Sequence, residues 1–216
     1  MSLDKTLERL TFSFTRADGL WADASARTRP GELACRPGCF GCCLGLFEIS
    51  APEALLVRAA LERLDAPERE EIVSRSRRIV AETAGSFPGD PVAGILDPDR
   101  TEEADDRYFE VVADRACPML ELPTGRCRIY EARPLTCRTY GLAWRRQEEL
   151  VHPPCTLNLV GAPAERQLAT GVDLAVLERE DEALSSATRQ HGIDPTLETT
   201  LAHVVLGTAF APLAGS

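Results

Sequence analysis

Four of the chain's eight cysteines lie within nine residues, and this cluster constrains the fold more than any other feature of the sequence. Residues 35–43 read Cys-Arg-Pro-Gly-Cys-Phe-Gly-Cys-Cys, which places Cys35, Cys39, Cys42 and Cys43 together. The other four follow at wide spacing: Cys117, Cys127, Cys137 and Cys155. Because thiolates are good ligands for soft metals, the pattern predicts that distant parts of the chain gather around metal.

Three features favour metal ligands over disulfide bonds. The first residues contain no apolar signal segment, so we expect a cytoplasmic protein, whose thiols are kept reduced. A chain of 216 residues, 44% of them hydrophobic, can bury a core without covalent cross-links. The adjacent Cys42 and Cys43 also suit a disulfide framework poorly. In a reducing compartment, clustered cysteines indicate metal binding or thiol redox chemistry.

Charge and hydrophobicity narrow the choice of partners. The formal net charge of −10 and the isoelectric point of about 4.9 argue against general nucleic-acid binding. No apolar run in the sequence is long enough to span a bilayer. We therefore expect neither nucleic acid nor a membrane as a partner. A protein or a small molecule is expected, of a kind that the sequence leaves open.

Capping signals predict two consecutive helices after the cysteine cluster. Ser50 and Glu53 form a capping box with a proline in the first turn, which predicts a helix to about Leu64. The same start signal recurs at Asp65 and predicts a second helix to about Ala84. Together these helices predict an αα-hairpin.

Helices are also predicted at both ends of the chain. Apolar residues at helical spacing predict a leading helix over residues 3–27. In the tail, one helix is predicted from Asp173 to about Gln190 and another from Pro195 onward. The last six residues are expected to fray.

The middle of the chain gives weaker signals. Residues 85–106 are rich in glycine, proline and aspartate, and predict a solvated loop, since the calcium-binding pattern of an EF-hand is missing. Residues 108–113 predict either a short strand or the end of a helix. A Pro-Thr-Gly turn between Cys117 and Cys127 predicts a hairpin that places these two residues side by side. Pro134 fits the start of a short helix that would carry Cys137 and Arg138.

The motifs occur together in an order that is typical of one family. After the Cys-x3-Cys-x2-Cys-Cys cluster come Ser-x-x-Glu-Ala, Cys-Pro-x-Leu, Gly-x-Cys-x-Ile-Tyr and Arg-Pro-x-x-Cys-Arg-x-Tyr. This combination resembles the YkgJ-like cysteine-cluster proteins, which are described as zinc- or iron-chelating domains and include flagellin lysine-N-methylase. The resemblance covers about residues 30–155. It implies that all eight cysteines are metal ligands: Cys35, Cys39, Cys42, Cys43, Cys117, Cys127, Cys137 and Cys155.

We predict one mainly α domain over residues 1–216, with a small irregular or β-hairpin element. Residues 30–155 form its cysteine-cluster metal-binding core, and residues 156–216 form a C-terminal helical extension. A cysteine-ligated metal centre is expected to hold the cysteine-bearing segments of this core together. Since ligand binding and folding are coupled at such sites, metal should contribute to stability.

The ligand set fits two kinds of metal centre. Four thiolates suit either tetrahedral zinc or a 4Fe–4S cluster. Eight cysteines allow one site with spare thiols or two four-cysteine sites, and the diverging Cys42 and Cys43 are not expected to share one small ion. One tight cluster with scattered partners resembles three-plus-one ligation, which favours an iron–sulfur cluster over zinc alone. Thiol redox chemistry without metal is the third alternative.

The spacing Cys35-x3-Cys39-x2-Cys42 also matches that of radical S-adenosylmethionine enzymes. Those enzymes need a (β/α) barrel, and the sequence lacks the alternating strand and helix patterns that a barrel requires. This interpretation is therefore disfavoured, because a short motif needs its structural context.

Several polar side chains are candidates for supporting roles around the metal. Arginines flank two of the distant cysteines: Arg126 and Arg128 around Cys127, and Arg133 and Arg138 around Cys137. Guanidinium groups could offset thiolate charge and donate to sulfur, or bind an anionic substrate. Ordinary pairing with surface acids is the competing interpretation, which we favour for Arg126 and Arg128. His152 is a candidate ligand or proton carrier.

Two classes of function remain open at this point. The first is a redox or catalytic iron–sulfur protein with an unknown substrate. The second is a non-enzymatic protein-interaction module that zinc stabilises. The sequence does not decide whether the chain is an enzyme.

Overall fold

A computed structural model describes residues 3–176, 185, 188–189 and 194–208 of the chain. Its helices are α1 (Leu3–Ala26), α2 (Ala51–Glu62), α3 (Ala66–Thr83), α4 (Glu102–Val112), α5 (Leu135–Thr139), α6 (Ala164–Ala169) and α7 (Leu201–Leu206). Its strands are β1 (Glu48–Ser50), β2 (Gly89–Asp90), β3 (Ile95–Leu96), β4 (Leu120–Glu121), β5 (Arg126–Cys127), β6 (Trp144–Arg146), β7 (Glu149–His152), β8 (Val172–Asp173) and β9 (Glu198–Thr200). The prediction of a mainly α fold with small β elements is confirmed.

Side-chain caps set the start of the αα-hairpin. At α2, the carboxylate of Glu53 accepts hydrogen bonds from the backbone N–H of Ser50 at 2.9 Å and from its hydroxyl at 2.8 Å. At α3, Asp65 accepts from the backbone N–H of Glu68 at 2.8 Å. A side-chain cap of this kind contributes about 1 kcal/mol. The predicted hairpin of two capped helices is confirmed.

The main hydrophobic core lies between this hairpin, the β4–β5 segment and α7. Its buried side chains come from all three parts, and they include Ile49, Val57, Leu61, Ile72, Met119, Ile129, Leu201 and Val204. The predicted leading helix, α1, packs on α5 and α2 through Leu10 and Phe14. Cys117 and Cys127 pack against the main core, and Cys137 lies on α5, which packs against α1.

The predicted loop over residues 85–106 is partly wrong. β2 and β3 form an antiparallel pair within it, and α4 begins at Glu102, where the hydroxyl of Thr101 accepts from the backbone N–H of Ala104 at 3.3 Å. Acidic residues in the first turn of a helix are favourable because they complement its dipole. Glu102, Glu103 and Asp105 fall within the predicted loop but are an N-terminal helix signal. Residues 108–113 are the end of that helix.

The tail differs from its prediction because a strand replaces the start of a helix. Residues 198–200 pair antiparallel with residues 48–50, so the last described helix starts at Leu201 and not at Pro195. In the predicted helix from Asp173 to Gln190, Asp173 itself lies in β8 and pairs with Arg145. The described residues 174–176, 185 and 188–189 are helical as predicted, and the rest of that range lies outside the described residues. The predicted fraying of the last six residues also lies outside them. None of the described helices combines the length and hydrophobicity that crossing a bilayer requires.

Candidate metal centre

The cysteine cluster is an irregular loop that ends in one 3-10 turn, Gly41–Cys43. Gly38 adopts φ +86, a left-handed conformation that favours glycine. After the turn, the carbonyl of Cys43 accepts a hydrogen bond from the backbone N–H of Cys117 at 2.7 Å. Leu44 and Ala116 form an antiparallel bridge beside this bond. The backbone itself therefore joins the cluster to the segment that carries Cys117.

The β4–β5 hairpin presents Cys127 to the same loop. Its register pairs Leu120 with Cys127, so Cys117 precedes the paired region and does not lie directly across from Cys127. The hairpin tip touches the cysteine loop at two glycines: a Cβ on Gly125 would lie 2.6 Å from the carbonyl oxygen of Gly38. The predicted hairpin is confirmed, and this close approach holds it against the cluster.

The short helix α5 carries Cys137, and Pro134 precedes it as predicted. The second carboxylate oxygen of Glu53 accepts from the backbone N–H of Leu135 at 2.8 Å. Glu53 is only 7% exposed. The cap of α2 thus also fixes the start of the helix that bears Cys137.

Asn158 connects the last cysteine to the first. Its side-chain amide donates to the sulfur of Cys35 at 3.2 Å and to the carbonyl of Gly141 at 2.7 Å. The backbone N–H of Cys155 donates to the same Gly141 carbonyl at 3.2 Å. Asn158 was not singled out from the sequence, where its position three residues after a cysteine is the only signal.

The pKa values of the thiols are shifted by burial and by the charges of neighbouring cysteines. Burial raises the pKa of Cys35, and the nearby Cys39, Cys155 and Cys42 raise it further, against the hydrogen bond from Asn158. We call Cys35, Cys39 and Cys155 the first thiol group.

The remaining distant cysteines form a second neighbourhood. Burial raises the pKa of Cys117 to about 12, with further repulsion from Cys127 and Cys42. Burial also raises the pKa of Cys137 well above its usual range, and Cys117, Cys127 and Cys42 add to this. We call Cys117, Cys127 and Cys137 the second thiol group. Its thiols also interact with Cys42, which is therefore common to both groups.

The described side chains do not form a coordination site. All eight cysteines are free thiols. Among the described residues, which include all eight, no three His, Cys, Asp or Glu side chains are arranged to hold one metal ion. A hydrogen bond with the thiol of Cys43 is the main cause that raises the pKa of Cys42, followed by burial. The two adjacent side chains thus interact with each other.

Two arginines place positive charge beside the second thiol group. Arg138 is 5% exposed, donates to the carbonyls of Arg133 at 2.9 Å and Glu131 at 2.6 Å, and pairs with Asp18 of α1. Arg133 also pairs with Asp18, at 3.0 Å. The charges of both arginines lower the pKa of Cys127, although burial still raises it overall. Within the described part of the chain, the buried Nε–H of Arg133 has no acceptor.

The other candidates have ordinary partners. Arg126 is exposed and pairs with Glu121 at 2.9 Å, and the less exposed Arg128 pairs with Glu71 at 2.6 Å. The expected pairing with acids is confirmed for both. The ring of His152 lies 5.0 Å from that of Trp144, and its role as a ligand or proton carrier stays a prediction.

A helical scaffold that gathers free thiols from separate segments, with guanidinium groups beside them, defines a cysteine-cluster protein of the metal-binding class. The chain belongs to the CxxCxxCC family, described as "Putative zinc- or iron-chelating domain", whose model matches residues 34–156. The match contains all eight cysteines, but the first gap in this chain has three residues where the family's pattern has two. The family resemblance found in the sequence is confirmed. No curated protein and no solved structure matches the chain.

Proposed function

We propose that the chain holds a metal centre through its thiolates and that this centre is an iron–sulfur cluster, preferably 4Fe–4S, with zinc as the alternative. The observation that carries the proposal is that hydrogen bonds join segments bearing the free thiols: the backbone N–H of Cys117 donates to Cys43, and Asn158, three residues after Cys155, donates to the sulfur of Cys35. The three thiols of either group, together with Cys42, make a set of four sulfurs, which suits tetrahedral zinc or a 4Fe–4S cluster.

The donor set fits a soft metal, because thiolate sulfur is the ligand that such metals prefer. Among the described residues no three ligating side chains are arranged to hold one ion, so the thiols must change position, as by rotation about their Cα–Cβ bonds, and lose their protons when metal binds. Arg133 supports an anionic centre in this place, since its buried Nε–H lacks an acceptor within the described residues. A metal-bound thiolate or a cluster sulfide would supply that acceptor.

An iron–sulfur cluster, when bound, supplies one-electron transfer or Lewis acidity. The chain's own residues have other tasks. The thiolates would hold the cluster, and burial shields Cys117 and Cys137 from water. Arg133 and Arg138 offset the negative charge of the second thiol group. We propose a redox or catalytic role with a protein or small-molecule partner, to which the exposed Cys35 would leave the centre accessible.

Purification without oxygen, followed by elemental analysis, tests this proposal. An iron–sulfur protein is brown, absorbs broadly in the visible range, and contains iron and acid-labile sulfide in equal amounts. Colourless protein with stoichiometric zinc, after anaerobic growth with ample iron, would support the zinc alternative and a non-enzymatic role. Protein that binds neither metal, as purified and after reconstitution with each, would overturn the proposal.

Variants of each thiol group make the test sharper. Cys155→Ser removes a sulfur from the first thiol group and Cys137→Ser removes one from the second. If both groups bind metal, each variant loses part of the metal content. If one variant retains all of it, the corresponding thiol group is not part of the centre.

A further inference from the structure

Asn158 is a buried amide whose three hydrogen bonds join the two ends of the cysteine core. It is 3% exposed. Its Nδ2 lies 3.2 Å from the sulfur of Cys35 and 2.7 Å from the carbonyl oxygen of Gly141. Its Oδ1 accepts from the backbone N–H of Ala34 at 2.8 Å. The orientation of the amide is fixed, because the Ala34 N–H can only donate and the Gly141 carbonyl can only accept.

The backbone around this amide is shaped to admit the sulfur. Gly141 adopts φ +106. A Cβ at this position would lie 3.1 Å from the sulfur of Cys35 and 3.3 Å from Nδ2 of Asn158. The Gly141 carbonyl also accepts from the backbone N–H of Cys155. One compact unit thus holds the sulfur of Cys35 near the segment that carries Cys155.

We infer that Asn158 is a positioning residue of the metal centre, which donates an N–H···S hydrogen bond to the metal-bound thiolate of Cys35. The inference rests on the proposed function. A donor to a metal-bound sulfur stabilises its negative charge and fixes the direction in which it ligates. The second N–H and the carbonyl of the amide keep Asn158 itself in place, so the donor is already oriented before metal arrives.

The wild-type protein allows a direct test, because Asn158 is the only asparagine in the sequence. Labelling with ¹⁵N-asparagine gives one side-chain NH₂ signal in the NMR spectrum. The probe is ¹¹³Cd²⁺, a soft, magnetically active ion that thiolate sites accept. We expect one of the two amide protons to shift on cadmium binding, to exchange more slowly with water, and to split through the N–H···S–Cd path. Stoichiometric cadmium binding without these changes would overturn the inference.

A substitution tests the effect on affinity. Asn158→Asp keeps the shape and the acceptor for Ala34, removes both N–H donors, and places a carboxylate oxygen beside the sulfur of Cys35. We expect the affinity for cadmium and zinc to fall about 10–100-fold, as for other residues that support metal ligands. The matched control is Thr170→Val, which removes a buried hydroxyl that donates to the Arg166 carbonyl at 3.0 Å. The control should lower stability and leave metal affinity unchanged.

The outcomes separate the inference from the function on which it rests. If the wild type binds metal, and Asn158→Asp is folded and binds as tightly as the wild type, the positioning role is wrong and the metal centre stands. If Asn158→Asp does not fold, the cadmium spectrum of the wild type decides alone. If the wild type binds no cadmium, zinc or iron, both the proposed function and the inference fall.

Discussion

At the scale of single residues, the protonation of the second thiol group follows from the raised pKa values of its thiols. Burial raises the pKa values of Cys117, Cys127 and Cys137, so at neutral pH these side chains are uncharged thiols. Neutral thiols can pack beside one another, whereas thiolates at the same distances would repel. If these thiols are the ligands, as proposed, metal binding must displace protons from them.

This displacement predicts how metal affinity depends on pH. Because each ligand thiol gives up a proton, the apparent affinity for zinc should rise with pH below the thiol pKa values, by roughly tenfold per pH unit for each proton released. Competition titrations at several pH values and proton release into weak buffer measure this slope. An affinity that does not change with pH would contradict thiol ligation.

The stability of the metal-free protein should change with pH in the opposite direction. The folded pKa of Cys117 is about 12, above the value of about 8.5 expected for an unfolded thiol. Its contribution to stability is present below the unfolded pKa and is lost as pH rises toward the folded pKa, by up to about 1.4 kcal/mol per pH unit. Urea unfolding above pH 8.5 should show this loss, with a shallower slope in Cys117→Ala. An equal slope in the variant would contradict the assignment to Cys117.

At the scale of elements, the glycine contact between the hairpin and the cysteine loop controls how the two fit. Gly125 adopts φ +72, and a Cβ there would lie 2.6 Å from the carbonyl oxygen of Gly38. The clash would be with backbone atoms of Gly38, which cannot swing aside as the end of a flexible side chain can. The distance between Cys127 and the cysteine loop therefore depends on the absence of one methyl group.

A single added methyl group should therefore weaken both stability and metal binding. Gly125→Ala is expected to cost at least about 1 kcal/mol, from the strained φ and the clash together. It should also lower metal affinity, because it moves the hairpin that bears Cys127. Gly85→Ala is the control, since a Cβ there meets nothing within 4 Å. Thermal melts and zinc titrations of the two variants check this, and equal behaviour would refute the role of the contact.

Elements with local start signals could be predicted, and those fixed by distant pairing could not. The capping residues Ser50 and Asp65 can be recognised from the local sequence, and the predicted bounds of α2 and α3 therefore agree closely with the structure. β9 exists because residues 198–200 pair with residues 48–50, a partner that a local pattern does not reveal. α4 did carry a local signal, but its acidic first turn resembles a solvated loop.

The candidate site likewise contains features that the sequence predicts and features that depend on contacts between distant residues. The cysteines and their family pattern are visible in the sequence. The hydrogen bond from Asn158 to Cys35 is not, since it spans 123 positions. The same holds for Glu53, whose capping role was predicted but whose bond to Leu135 depends on tertiary packing.

At the scale of the whole molecule, the cysteine segments are anchored to different parts of the scaffold. Cys137 lies on α5 against α1, Cys127 lies on the hairpin, and Cys35 is tied to Asn158. A metal that joins these sulfurs joins the parts that carry them. Its free energy of binding is then also free energy of folding.

Metal removal should therefore destabilise the entire described fold and not only the loop. At a metal concentration about 100 times the dissociation constant, binding contributes about 2.7 kcal/mol. Chelator should lower the melting temperature of the wild type and change that of Cys39→Ser much less. Calorimetry of both proteins, with and without chelator, measures the difference. Equal responses would show that Cys39 takes no part in metal-dependent stability.

The ion pairs of Asp18 have a consequence for comparing members of this family. Asp18 belongs to α1, before the matched region 34–156, yet its carboxylate pairs with Arg133 and Arg138 inside that region. A protein with the same cysteine core and a different leading segment would leave the two guanidinium groups uncompensated. If the centre is the proposed iron–sulfur cluster, it would then lie in a more positive field, which favours its more reduced form. Leading segments outside the shared core would in that case tune the reduction potential from one relative to the next.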